Sequence, residues 1–405
     1  MAGLVKHFQS SMQGIPQLSN NWGRMITLLD AVLVTGFNFR TITSISKSAP
    51  NAITATIQLG SGHGFIDRQV IRIAGSTNGW DGDFKVLSAN SNDILIECLS
   101  TNPASIEGTA SCSTAPLDFE VVYSTPVGSI EPKRAYRSKD PESLGLILLV
   151  HDFCVAGAAA TGAKFAKVGV VSNMTDIDSI TGAQMPFNPA QPNLNWGWDG
   201  TYHGWAKWYY KLPNYTAQSH TAPDNQAPNS TSADFNIVGD SESFIIETKA
   251  SNLNSYTVGG FFCFDDFQLK SKNMALMAAG INTPRTQNSG FYYHTRGGYL
   301  KALGPTAYAA FNVSAKLWFN TEALLDSIDC TKNLNISADS VDKNVLIDSM
   351  VFDSNNLPRG VIPFLKNSIS QINETVFLQD TGKTIKRYES YSSSVLQYAL
   401  TLESL

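Results

Sequence analysis

The residues that could do chemistry in this 405-residue chain are few and scattered. Histidines stand at His7, His63, His151, His203, His220 and His294, with no HExxH and no pair at helical spacing, so the linear sequence holds no ready transition-metal ligand set. His151 and Asp152 are the one adjacent His and acid pair. Neighbours on a strand point to opposite faces, so these two are not expected to act as one catalytic pair. Asp176 with Asp178 and Asp265 with Asp266 could offer oxygens to calcium, but neither has the ligand spacing of a calcium loop, and solvated turn carboxylates are the simpler reading. No GxSxG elbow, GxxxxGK[ST] phosphate loop or GxGxxG turn is present, and GSGHG and TRGG read as hairpin turns.

One cluster stands out. Trp196, Trp198, Trp205, Trp208, Tyr209 and Tyr210 crowd into a Pro-, Asn- and Gly-rich stretch over residues 183–233, which reads as a long aromatic loop pair around a short strand at GWAKWYY. Trp196, Trp198, Trp205, Trp208 and Tyr209 are the candidate binding residues. Such rings serve a protein interface or core, or they stack on sugar faces. Asp199 is the best candidate for a sugar-facing acid, but hydrolysis needs a second carboxylate across a cleft, roughly 5–9 Å away, and no partner is identifiable. No catalytic residue, metal or cofactor is therefore assigned.

Composition narrows the classes further. Lys and Arg number 29 against 34 Asp and Glu, a formal charge of -5, which argues against a face that wraps nucleic acid. Only 16% of residues are charged, so uncharged polar and aromatic side chains must cover much of the surface. The five cysteines form no CxxC pair, and a single bridge between Cys98 and Cys112 is the one disulfide considered. The start lacks a continuous apolar signal core and no run of 18 apolar residues occurs, so neither a membrane span nor export by the general route is expected.

The elements that must position these residues read as strands. AITATIQL, DRQVIRIAG, DFKVLSA and NDILIECL alternate with period two between tight turns, the pattern of a small β-barrel or sandwich module, with Phe65, Ile71, Ile73, Trp80, Phe84, Val86, Ile94 and Ile96 as its core and Val70 and Arg72 facing solvent or a neighbour. ADFNIVGDSESFIIET reads as a hairpin with Phe235, Ile237, Phe244 and Ile246 inward. Further strands are expected at YTVGGFFCFDDF, GFYYHTRG, YAAFNVSAKLWFN, KNVLIDSMVF and VLQYALTLES. RMITLLDAVLV suggests a short anchoring helix or edge element, and NTEALLDSID is the best other helix candidate. The expectation is a mainly β, multi-domain chain: an N-terminal arm and first strands over 1–50, the small module over 51–115, a β domain with the aromatic loop over 116–250, and a C-terminal β domain over 251–405.

The order of several motifs resembles that of structural proteins from the tail or baseplate of tailed bacteriophages, such as siphophage-like minor tail proteins. The resemblance begins at LLDAVLVTGF (28–37). It continues through the module, where His63, Gly64, Ile73, Gly75, Trp80, Gly82, Phe84 and Val86 match an HG turn, a V-x-I-x-G strand and a W-x-G-x-F/Y-x-V strand, with Ile71 in place of valine. Tyr136, Arg137, Asp140 and Pro141 match a Y-R-S-x-D-P entry, and Met174, Asp176, Asp178, Pro186 and Phe187 match a later M-T-D-I-D passage and Pro-Phe loop. NIVGDSESFII (236–246) resembles a V-G-D hairpin, FFCFDDF (261–267) an F-G-D-F strand end with Asp265 for glycine, and LPRGVIPFL (357–365) an R-G-x-x-P-G-L loop with Phe364 for glycine.

This resemblance implies a late-assembled virion component, built in the host cytoplasm, that forms homo-oligomeric rings and contacts other tail or baseplate proteins, with no enzymatic activity. Two alternatives stay open: a host-surface carbohydrate-recognition module that uses the aromatic cluster, and a tail-associated glycan hydrolase that uses Asp199.

Overall fold

The computed structural model describes residues 4–153, 159–185, 206–211, 228, 230–249, 256–281, 315–321, 324–330, 346–352, 357–368, 377–378, 384–391 and 394–402. Strands dominate, and no helix among the described residues is long and apolar enough to cross a membrane.

Residues 37–114 hold a seven-stranded antiparallel sheet in the order Phe37–Thr41, Ser111–Thr114, Val70–Ala74, Gly82–Ala89, Asp93–Glu97, Thr54–Gln58, Ser44–Lys47. Alternation decides its inner face: Ala55, Ile57, Ile71, Ile73, Phe84, Val86, Ile94 and Ile96 meet in one core with Phe65 and Trp80. Trp80 is fully buried, and its indole N–H donates to the Ser105 carbonyl at 3.1 Å, so the largest ring in the core carries no unsatisfied polar atom.

Two expectations change here. The sheet takes in Phe37–Thr41 and Ser44–Lys47, which the sequence reading grouped with the N-terminal arm as first strands: Ile42 and Ile45 are buried in this core, while Phe37 packs in the layered body. Of the barrel and sandwich alternatives for the module, no closed barrel forms: its seven strands make one open sheet. Its two outer strands are consecutive in the chain, and the amides of the linking Ile42 and Thr43 go to Ala110 and Gln58 carbonyls at 2.9 Å each. The disulfide does not form: Cys98 and Cys112 are free thiols, Cys112 on Ser111–Thr114 and Cys98 just past the end of Asp93–Glu97, strands that are not neighbours in the sheet.

The rest of the described chain stacks in three layers. The middle layer is a second seven-stranded antiparallel sheet, in the order Lys6–Gln9, Phe235–Gly239, Phe244–Lys249, Tyr256–Asp266, Ser271–Ile281, Ala315–Thr321, Leu324–Cys330. This sheet runs across position 250, where a domain boundary was expected, so strands from both sides of it share one ladder.

One face of the middle sheet, through Phe235, Ile237, Phe244, Ile246, Phe261 and Leu276, packs on a sheet built from Phe119–Ser124, Lys133–Ser138, Ile147–His151 and Phe165–Val171, with Gln184–Met185 and Ala206–Tyr209 sharing its last edge. The other face, through Val238, Ile245, Val258, Phe262 and Met277, packs on a C-terminal sheet of Leu346–Phe352, Pro358–Ser368, Ser394–Thr401, Thr384–Tyr391 and Phe377–Leu378. Burial on both sides explains why FIIET, GGFFCF and MALM read as near-continuous apolar runs.

The short helix Arg24–Leu29 runs directly into a π-helical turn, Asp30–Thr35, and buries Met25, Ile26, Leu28, Leu29, Val32 and Leu33 in the first interlayer core. The other helix candidate is corrected. LLDSIDC forms the strand Leu324–Cys330, paired along its whole length with Ala315–Thr321. A ten-residue helix has little stability of its own, and the ladder offered by AKLWFNT outcompetes it. GFYYHTRG lies outside the described residues.

Trp80→Ala should cost about 3–5 kcal/mol, the usual range for emptying an aromatic core site. Urea unfolding followed by circular dichroism checks this, and a loss below ~1 kcal/mol would mean that Trp80 does not organise the module.

Candidate functional site

The aromatic cluster divides. Trp196, Trp198, Trp205 and Asp199 lie outside the described residues. Trp208 and Tyr209 are interior, at 3% and 2% exposure, which corrects the expectation that they face a ligand or a partner. Ala206–Tyr209 pairs with Phe165–Val171, Trp208 opposite Ala166 and Tyr209 opposite Phe165. From there the Trp208 ring reaches between the first two layers, meets Phe244 edge-on at 5.8 Å, and donates its N–H to the Met277 carbonyl at 2.9 Å. Tyr209 packs on Phe165 at 5.2 Å. The Trp208 ring thus fills the seam between the two sheets, while Tyr209 is buried against Phe165.

The next residue reaches a buried carboxylate. Tyr210 donates its hydroxyl to Asp152 Oδ1 at 2.7 Å, and Asp152 Oδ2 accepts the Met25 N–H at 2.8 Å, with the Ile26 and Gly23 amides alongside. Helix Arg24–Leu29 begins after Gly23 with no capping side chain of its own, so Asp152 caps it from the end of a strand 127 positions away. Burial pushes the Asp152 carboxyl up to about 7, against the pull of those donors. His151 points elsewhere, as neighbours on a strand must. It stands in register between Lys133 and Lys167, and burial followed by those two charges takes it down to about 2.

Five of the stretches that carry the resemblance meet at three joints. In the first joint, Ser138 donates to the Ser241 carbonyl and Ser241 donates to Asp140 Oδ2, each at 2.6 Å, tying YRSKDP to VGDSESF. Gly239 is required there by close approach: a Cβ would stand 2.6 Å from Phe244 Cβ and 2.8 Å from Leu117 Cδ1.

In the second joint, Arg359 grips Asp266, with Nε 3.0 Å from Oδ1 and Nη2 2.5 Å from Oδ2, tying LPRGVIPFL to FFCFDDF. Asp266 also accepts the Gln268 and Leu269 amides and the Asn273 side-chain N–H. Burial raises this carboxyl, but the donors outweigh it and bring it to about 2. In the third joint, Asp30 of the LLDAVLVTGF stretch accepts the Tyr136 hydroxyl at 2.7 Å.

The two acid pairs differ: Asp176 and Asp178 flank a hairpin turn, whereas Asp265 and Asp266 end the strand Tyr256–Asp266. Asp176 Oδ1 accepts the Asp178 amide at 2.9 Å, and Asp178 pairs with Lys133 across the surface. Asp265 is exposed beside the buried Asp266. Among the described residues no group of three His, Cys, Asp or Glu side chains is placed to hold a metal ion.

No family model matches the chain, and no curated protein matches it. Among solved structures it is loosely similar to "Phage phi92 endosialidase", with 12% identity over 91% of this chain and 52% of that chain, and a TM-score of 0.16. The chain thus spans about half the length of that neighbour, and a superposition so loose carries no argument about fold or activity.

Two predictions follow from these joints. Removing Arg359 strands a buried carboxylate, so Arg359→Met should cost about 3–5 kcal/mol, and Asp266→Asn in the same chain should recover part of it. Chemical denaturation of the single and double variants checks this, and equal losses would remove the pairing argument. Asp152 binds its proton more tightly in the folded chain than in the unfolded one, near 7 against 3.8. Its contribution to stability is therefore greatest below the lower value and declines as pH rises through the higher one. Asp152→Asn should flatten that part of the stability profile between pH 4 and about 7, measured by thermal unfolding across buffers.

Proposed function

We propose that the chain is a structural virion protein, a subunit of the tail or baseplate of a tailed bacteriophage that closes into a homo-oligomeric ring and contacts neighbouring tail proteins. The observation that supports this reading is the placement of the resemblance itself. Matching stretches that are far apart in sequence meet at the Ser138–Ser241–Asp140 and Asp266–Arg359 joints, which tie one layer to the next, and at Asp30–Tyr136, which seats the π-helical turn on the first sheet. Residues that fix a subunit's shape are what a building block needs to retain.

Its surface suits contact with other chains. Val127 and Ile130, 99% and 82% exposed, sit on the loop between Phe119–Ser124 and Lys133–Ser138, and Leu99, Phe39 and Ile53 stand out from the module. Rings close through heterologous contacts, in which different faces of adjacent copies meet, so isolated apolar positions on several sides fit better than one large patch. The chain would be made in the host cytoplasm and end in the virion. The carbohydrate-recognition reading rests on Trp196, Trp198 and Trp205, since Trp208 and Tyr209 are interior.

Size-exclusion chromatography with light scattering, followed by negative-stain imaging, should show a discrete ring, and antibody labelling should mark the tail of purified particles. A monomer absent from particles would overturn the proposal, and glycan binding that vanishes in a Trp196→Ala, Trp198→Ala chain would put recognition in its place.

A further inference from the structure

The two ends of the seven-stranded module meet at one point. Gly36 enters it at φ +74°, Phe37 pairs with Thr114, and a Cβ on Gly36 would stand 2.5 Å from the Thr114 carbonyl oxygen. Two adjacent passages of chain therefore form a neck between the module and the layered body.

Beyond the neck, charge closes the seam. From the module, Arg72 and Asp83 stand on neighbouring strands, with Arg72 Nε 2.6 Å from Asp83 Oδ1. From the body, Asp118 takes the other side of the same guanidinium, 2.7 Å from Nη1 and 2.6 Å from Nη2. Lys6, on the edge strand of the middle sheet, bonds Asp83 Oδ2 at 2.6 Å, lies 3.5 Å from Asp118 Oδ2, and also donates to the Pro116 carbonyl. Lys139 adds a cation 3.7 Å from Asp118.

Each carboxylate is thus shared between a cation of the module and a cation of the body. Burial raises the Asp118 carboxyl, but Arg72, Lys6 and Lys139 outweigh it and hold it below its usual value. Asp118 keeps a left-handed backbone at φ +64°, a conformation that persists where surroundings hold it.

Uncharged contacts also cross the seam, where Phe37 and Ile66 of the module pack against the body core. Gln13 donates to the Gly62 carbonyl at 3.3 Å, Gln69 Nε2 lies 3.6 Å from Met12 Sδ, and Phe8 meets Phe37 at 6.1 Å between centroids. The Arg72 and Asp118 side chains remain 30% and 31% exposed, so water and salt reach the cluster. Ion pairs of this kind add little net stability but strongly favour one relative orientation, and polar interdomain seams move unless something holds them.

We propose that the module is a latched body. It turns as a unit on the Gly36–Thr114 neck, and the Lys6–Asp83–Arg72–Asp118 cluster is the latch that holds it in the orientation described above. Opening leaves the module's own buried cluster intact, since of the module's residues only Phe37 and Ile66 pack with the body core, and the neck strands stay paired within the module. A partner that offers its own carboxylate to Arg72, or its own cation to Asp118, would release it.

Hydrogen–deuterium exchange on the full chain tests this, in wild type, in Arg72→Gln and in wild type at high salt, where the screening length falls to about 3 Å. The expected result is exchange on the order of tenfold faster at the seam, over residues 10–15, 60–66 and 114–118, with the module core over residues 70–74 and 94–97 unchanged. Small-angle scattering should show a larger radius of gyration under the same conditions. Seam exchange that stays at the wild-type rate in Arg72→Gln and at high salt would overturn the proposal. Core exchange that accelerates with the seam would also overturn it, since the module would then be melting instead of turning.

Discussion

The constraint on which this structure depends is that the central strands of the middle sheet bury apolar side chains on both faces. Phe235, Ile237, Phe244, Ile246 and Phe261 point one way and Val238, Ile245, Val258, Phe262 and Met277 the other, and both sets are buried. A sheet of this kind is insoluble alone, so the outer sheets are conditions of its existence. Each outer sheet is held by a polar tie as well as by apolar contact: Ser138 and Asp140 to Ser241 on one side, Arg359 to Asp266 on the other. Apolar burial supplies most of the stabilisation and has no preferred direction, whereas the ties select register and angle.

The first layer adds a different kind of tie. Asp152 terminates one strand, caps a helix whose own sequence offers no cap, and accepts the Tyr210 hydroxyl from the edge of the aromatic stretch. Three segments far apart in sequence therefore converge on one carboxylate that water does not reach, which rigidifies the base from which the stretch departs.

Much of the local structure was legible in the chain. The module core was readable from period-two alternation, and all eight residues so chosen lie in one cluster, although Val70, read as facing outward, is buried as well. The hairpin over 235–249 was readable for the same reason, with Asp240 accepting the Glu242 and Ser243 amides in its turn. What was not legible involves partners distant in sequence. LLDSIDC has no decisive period and becomes a strand because AKLWFNT lies beside it. Phe37–Thr41 joins the module because Ser111–Thr114 receives it, seventy positions later. Nothing local marks Asp152 as a helix cap, Arg359 as the partner of Asp266, or Arg72 as the bridge to Asp118. Trp208 and Tyr209 read as binding candidates because their surroundings in sequence are polar, yet their strand joins the first outer sheet and both rings are buried.

The adjacency of Phe37 and Thr114 has a consequence for how such a chain can change over generations. Paired residues of antiparallel strands stand about 5 Å apart, so a turn of a few residues could span the gap left by deleting everything between them. The layered body would keep its own interior, since none of the middle sheet's ladder passes through the excised segment. The site therefore behaves as a cassette port: recombination can exchange one passenger for another of similar footing, and altered attachments can be acquired without redesigning the scaffold.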